Sequence, residues 1–270
     1  MIPAPTITTS AVCVMVPAMI VRPRTSTDAL GRPPPDASPE RRASATRLGA
    51  SHFDGWSVTM RVAELWRYPV KSLAGEQLDA VDILLDGIPG DRVVQVHDAR
   101  GRIVTSRTIP GLLGLRASTS PTGEPLVGGT PWTSPEVAKA IETIAGPGAR
   151  LARDDGPHRF DVLPLLVATD GAIDALGLDR RRFRPNILVS GVDGLAEREW
   201  PGRRARIGEA IVAFEKLRGR CVMTTYDPDT LEHDPSVLRR IVQQMGGRLA
   251  LDSYVVQAGR VSVGDSVKLL

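Results

Sequence analysis

From Met60 to the C-terminus, Gly, Pro and Asp interrupt the chain every few residues, and the stretches between them are short and rich in Val, Ile, Leu and Thr. That rhythm argues against a doubly wound sheet and favours many short strands joined by tight turns. Val62–Tyr68 alternates at period two. Val81–Leu85, Arg92–His97 and Ile103–Ser106 follow, with Asp98-Ala99-Arg100-Gly101 as a hairpin turn. Further strands are predicted at Ile187–Ser190, Ala205–Ile207, Ala210–Phe214, Cys221–Thr225, Ser253–Val256 and Ser266–Leu269. Three helices carry start and stop signals. One opens at Ser134-Pro135-Glu136 and closes at Gly146, one spans Asp170–Leu176 before Gly177, and one runs from Asp234-Pro235 to Gly246-Gly247. The expected class is mainly β with a few helices (α+β), built as β-barrel modules.

Residues 1–59 read differently. They hold 8 of the 22 prolines, and Arg32 to Arg47 lacks apolar periodicity. Such a stretch buries too little surface to offset its ordering entropy, so a disordered leader or a mis-assigned start is expected, with Met60 as the true start. The apolar run Ala11–Val21 is too short to span a bilayer, and no basic residue precedes it as in a secretion signal. A cytoplasmic protein without a membrane anchor is expected.

The 270 residues carry a formal charge of only +3. No Lys/Arg run stands out and aromatics are 4%, so nucleic-acid binding has little support. No glycine-rich phosphate loop of the dinucleotide or P-loop kind is present. The two cysteines, Cys13 and Cys221, cannot build a four-ligand zinc or iron–sulfur site. A disulfide between them would tie a Pro-rich tail to the core, which is not expected in a cytosolic protein.

Four segments could carry chemistry. In Tyr68-Pro69-Val70-Lys71-Ser72, Pro69 ends a strand and leaves Lys71 and Ser72 at its exit, suited to an anion or to plain solvation. In Gly90-Asp91-Arg92 the arginine either pairs with Asp91 on the surface or enters a cleft. In Phe183-Arg184-Pro185-Asn186, proline is expected to hold Arg184 extended, so that a charged fork and an amide flank a buried strand. In Lys216–Thr230, three cations precede Cys221, and cations beside a thiol favour the metal-ready thiolate. Strict strand alternation would place 216, 218 and 220 opposite Cys221 unless Gly219 breaks it. A lone cysteine can equally be a small buried hydrophobe.

The order Y-P-V-K-S, D-R, F-R-P-N, R-C-x-x-T-T-x-D-P-D-T and a terminal V-G-D-x-V resembles the two-module MOSC proteins, in particular the mitochondrial amidoxime-reducing components and their bacterial counterparts. The resemblance runs from about Val62 to Leu270 and implies a MOSC N-terminal β-barrel domain at 60–155 and a MOSC domain at 156–270. It implies a molybdenum cofactor of the pterin type (Mo-molybdopterin) with Cys221 as the metal's thiolate ligand, a role suited to a soft donor. Lys71, Ser72, Arg92 and Arg184 would then grip the cofactor's phosphate. Asn186 would contact the pterin side, Arg220 would border the metal, and Tyr254 would add a contact. Asp227 and Asp229 would shape the turn after the cysteine. The resembling proteins carry a Thr-Ser pair where this chain has Val162-Leu163 before Pro164, so Thr169 is the expected substitute hydroxyl. The implied activity is reduction of small N-hydroxylated or N-oxide substrates, with electrons from a separate ferredoxin or flavin reductase. Two alternatives remain: a sulfur carrier or transferase using a Cys221 persulfide, and a non-enzymatic cofactor carrier. The oligomeric state is not legible.

Overall fold

The computed structural model describes residues 59–270; the expected leader up to residue 58, with Cys13, lies outside them. The first half runs β1 (Arg61–Arg67), β2 (Glu76–Leu78), β3 (Ala80–Ile83), β4 (Val94–His97), β5 (Ile103–Val104), β6 (Ala117–Thr119), β7 (Pro125–Val127), β8 (Thr130–Pro131), α1 (Pro135–Ala145) and β9 (Arg150–Arg153). The second runs β10 (Leu165–Thr169), α2 (Asp170–Asp174), β11 (Ile187–Ser190), β12 (Arg204–Ile207), β13 (Ala210–Gly219), α3 (Pro235–Met245), β14 (Arg248–Gln257), β15 (Gly259–Ser262) and β16 (Val267–Leu269). Single 3-10 turns fill several connections. Among the described residues the chain is mostly β with three α-helices, and no helix there is long and apolar enough to cross a membrane.

Eight strands form the main sheet in the order β16-β12-β13-β14-β10-β11-β1-β2. It is antiparallel except where β10 meets β11, with Val167 opposite Ile187. The sheet is not a closed barrel. Its far parts approach through three backbone hydrogen bonds, Val62 N–H to Asp265 O, Gly264 N–H to Val62 O and Val267 N–H to Met60 O, and no ladder completes the ring. β3 pairs with β15, so β1, β2 and β3 from the first half of the chain all sit with strands of the second half. β4, β5 and β9 make one small sheet, and β6, β7 and β8 another.

Alternation explains the layers. Leu165, Val167, Ile187 and Val189 face one core with Leu65, Phe214 and Leu251, while Leu166, Ala168 and Leu188 face α2 and α3 through Ile173, Val237 and Ile241. A third core gathers Val70, Leu73, Val94, Val96, Leu112 and Ile141 beneath α1. The helix signals act as expected: the Ser134 hydroxyl accepts from Val137 N–H, Asp234 accepts from Ser236 N–H, and a proline opens both α1 and α3. The second helix is shorter than predicted, ending at Asp174 in place of Leu176.

One predicted strand is absent. Cys221–Thr225 is no strand; Val222–Thr225 forms a 3-10 turn with Cys221 as its N-cap. The Thr224 hydroxyl donates to Cys221 O at 2.8 Å and that of Thr225 to Val222 O at 2.6 Å. These threonines spend their hydroxyls on carbonyls three residues back, which favours the turn over an extended ladder.

Candidate functional site

The turn puts Cys221 at the end of β13, half-buried on the wall of a pocket that also takes residues from three distant loops. Lys71 and Ser72 come from the exit of β1, Arg92 from the turn before β4, and Arg184 from the approach to β11. Arg220 and Cys221 complete the wall. Six of the residues singled out in the sequence therefore share one pocket: Lys71, Ser72, Arg92, Arg184, Arg220 and Cys221.

The backbone reaches this arrangement under strain. Among the described residues five non-glycine positions have positive φ, and three of them are Ser72 (75°), Arg92 (58°) and Arg184 (54°). Each costs about 1–2 kcal/mol relative to right-handed or extended backbone. Arg184 is thus not extended as its following proline implied. It ends the 3-10 turn Arg180–Phe183 in left-handed geometry, with its N–H on Arg181 O. Strain concentrated at one pocket marks positions held for their side chains' direction.

Asp91 and Asn186 do the holding. Asp91 is fully buried, contrary to a surface pairing: its carboxylate accepts Tyr68 N–H at 2.7 Å, Asn186 Nδ2 at 3.2 Å and the Arg92 guanidinium. Asn186, 1% exposed, accepts Leu166 N–H at 3.2 Å and donates to Trp66 O at 3.2 Å. Its polar atoms are occupied within the protein, so it positions Arg92 and does not line the pocket. The Tyr68 ring lies under two of the cations, with Arg184 4.3 Å and Arg92 4.9 Å from its centroid. Burial raises the Tyr68 hydroxyl to about 12, keeping it neutral as it donates to Pro185 O at 3.0 Å.

Thr169 and Tyr254 are not brought to the pocket. The Thr169 hydroxyl is fully buried and donates to Glu197 at 2.8 Å. Tyr254 is 39% exposed on β14, paired with Ala213. The sequence reading missed Arg107, Asp161 and Arg182, all of which line the pocket. Arg182 adjoins the F-R-P-N segment; Arg107 and Asp161 are single charges in loops, with no local signal. Arg218, one of the three cations noted before Cys221, lines the pocket with it and is not parted from it by strand alternation.

The pocket is strongly cationic. Asp161 is the acidic residue on its wall, and Lys71 (3.0 Å), Arg107 (3.3 Å) and Arg218 (3.4 Å) converge on it. Burial pushes the Asp161 carboxyl up, but Lys71, Arg107 and Arg218 together outweigh it and hold the group below its ordinary value. Arg218 is also paired with Asp252 at 2.7 Å and Arg182 with Asp227 at 2.9 Å. Asp227 further accepts Asp229 and Thr230 N–H at 3.0 Å, so these aspartates shape the loop after the cysteine. Among the described residues, Arg184 and Arg220 have no carboxylate partner. Arg184 donates to Leu73 O, Arg220 donates to Phe183 O, and the Nε of Arg220 is buried with no hydrogen-bond partner. Burial lowers both guanidiniums to about 10. Two dehydrated guanidiniums and an orphaned donor beside a thiol suit a ligand that carries both an anionic group and a thiophilic centre.

Two family models match the chain: the MOSC N-terminal beta barrel domain over residues 59–137 and the MOSC domain over residues 167–268. Mitochondrial amidoxime-reducing component 1 of Mus musculus is 25% identical over 252 residues, covering 72% of this chain and 70% of the relative. Mitochondrial amidoxime reducing component 2 of Homo sapiens is 37% identical over 76 residues, covering 26% of this chain and 22% of the relative. A molybdenum cofactor sulfurase of Anopheles gambiae is 37% identical over 92 residues, 33% of this chain and only 12% of that protein.

Proposed function

Because this is a MOSC-domain protein carrying both the N-terminal β-barrel module and the MOSC module, we propose that it binds the molybdenum cofactor and reduces small N-hydroxylated or N-oxide substrates. The observation that carries this reading is the meeting of Cys221 with Arg184 and Arg220 in one pocket, where, among the described residues, neither guanidinium has a carboxylate partner and the Arg220 Nε is left unbonded. The mouse amidoxime-reducing component 1, which aligns over 72% of this chain, supports the reaction class.

In this reading Lys71, Ser72, Arg92 and Arg184 hold the phosphate, with Ser72 adding a hydroxyl and the arginines adding forked donors. The left-handed backbone at three of these positions aims them before the ligand arrives, so little ordering entropy is lost on binding. Cys221 supplies the soft thiolate for the metal. Arg107, Arg182 and Arg218 surround the site with positive charge that favours an anionic ligand. The bound cofactor would supply two-electron redox chemistry and take up an oxygen atom. The net reaction converts R–NHOH, two electrons and two protons to R–NH2 and water. The electrons come from a separate donor, a ferredoxin or a flavin reductase.

Protein from a cofactor-competent host is expected to reduce benzamidoxime to benzamidine with reduced methyl viologen as donor, and the same protein from a host unable to make the cofactor is not. Equal rates from the two preparations would refute the proposal. The sulfurase relative keeps one rival in view, a persulfide on the half-buried Cys221. Intact mass showing one added sulfur on metal-free protein, with no turnover, would favour it.

A further inference from the structure

A second cavity, about 110 Å³, shares Arg182, Arg184 and Met223 with the Cys221 pocket. Its walls are aromatic. Trp66 and Tyr68 stack with ring centroids 6.4 Å apart and planes 16° from parallel, and Tyr226 is braced against His233 at 4.7 Å. Gly75 packs directly against this wall: a Cβ there would meet Arg67 O at 2.4 Å and the Tyr68 ring at 2.5 Å. A buried apolar cavity of about 150 Å³ takes a benzene ring, so this one accepts a single ring with an edge in the open mouth.

The lining cations divide sharply. Arg181 is held by Asp179 and Asp229, each at 2.7 Å; Arg182 is held by Asp227; Arg184 donates to Leu73 O, lies against the Tyr68 ring and also lines the Cys221 pocket, where it is assigned to the phosphate. Arg116 is exposed, and its guanidinium makes no hydrogen bond or ion pair among the described residues. Its charge helps lower the Asp229 carboxyl, but that carboxylate is already paired with Arg181. An aromatic slot with one unspent guanidinium at its edge matches a flat ring bearing an acidic group.

We infer that this cavity seats the aromatic body of the substrate and that Arg116 selects N-hydroxylated aryl compounds carrying a carboxylate. The inference rests on the reductase reading, because the cavity adjoins the Cys221 pocket through Met223, two residues along the same turn. It goes beyond that reading by naming the substrate's body and its charge.

The test is equilibrium binding of benzamidoxime and 4-carboxybenzamidoxime to the full chain, cofactor-loaded and cofactor-free, read by calorimetry and tryptophan fluorescence. The carboxylated probe is expected to bind about fivefold more tightly, the range of one exposed ion pair, in both forms. The preference should shrink as salt is raised. Arg116→Ala is expected to bind the two probes equally. Equal affinities in the wild type, or a preference that survives Arg116→Ala, would overturn the assignment. So would binding seen in cofactor-free protein and lost on loading, which would give the cavity to the pterin. Because binding is read separately from turnover, loaded protein that binds the probes without reducing them would refute the reductase reading and leave the cavity assignment standing.

Discussion

Replacing Asp91 with alanine perturbs the strut beneath the pocket. The carboxylate is fully buried and serves Tyr68 N–H, the Asn186 amide and the Arg92 guanidinium, whose side chain is only 16% exposed. Asp91→Ala leaves that guanidinium without its counter-charge and two further donors without an acceptor. Breaking a buried pair from one side costs about 3–5 kcal/mol, more than a typical exposed ion pair by a wide margin. Asp91→Ala/Arg92→Ala removes the stranded charge as well, so it is expected to be more stable than Asp91→Ala by about 1–2 kcal/mol although it deletes more atoms. Urea unfolding followed by circular dichroism reads both numbers, with unchanged m-values as the check that one transition is being compared. A double variant less stable than the single one would refute the argument, since Arg92 would then be held by something other than Asp91.

Three more outcomes follow from the same geometry. Ser72→Gly relieves the positive φ of 75° and is expected to raise the thermal midpoint by about 2–4 °C, as for ~1 kcal/mol, while weakening binding of inorganic phosphate measured by calorimetry; a lowered midpoint would contradict the strain. Burial raises the Glu197 carboxyl above its ordinary value against the lowering effects of Ala250 N–H and the Thr169 hydroxyl. Its folded value therefore exceeds its unfolded one, so its contribution to stability is fully present below the unfolded value and falls as pH climbs through the raised one; Glu197→Gln should flatten that slope in urea midpoints taken from pH 4 to 8, and an unaltered slope would contradict the assignment. Asp161 has the opposite sign: held low by Lys71 and its neighbours, its ion pairs persist above the unfolded value and are lost as pH falls through the folded one, so Asp161→Asn should weaken the acid-side dependence of unfolding.

Much of this was legible in the sequence, for reasons that can be named. The helix caps at Ser134 and Asp234 act within a few residues, and β1 announces itself by alternation. β10 was not read because a strand buried on both faces is a continuous apolar run, Leu165–Ala168, with no period to detect. The turn at Cys221 looked like a strand because its threonines favour strands by propensity, and only their hydrogen bonds to Cys221 O and Val222 O reverse that. Lys71, Ser72, Arg92 and Arg184 stood out through the company they keep in short motifs. Arg107 and Asp161 could not, since their meaning comes from convergence in space across more than fifty residues of chain. Asn186 was singled out as well, and its amide next to an anion site looks like a ligand, while in the structure its atoms bond Trp66, Leu166 and Asp91.

The most direct test of the central claim is molybdenum and pterin content, measured on the full chain from a cofactor-competent host for wild type, Cys221→Ser and Cys221→Ala. Near-stoichiometric molybdenum and pterin are expected in the wild type, with molybdenum lost or sharply reduced in Cys221→Ala while the fold, read by circular dichroism, is kept. Molybdenum retained at the wild-type level in Cys221→Ala, or absent from the wild type, would contradict the assignment of Cys221 as the metal's ligand.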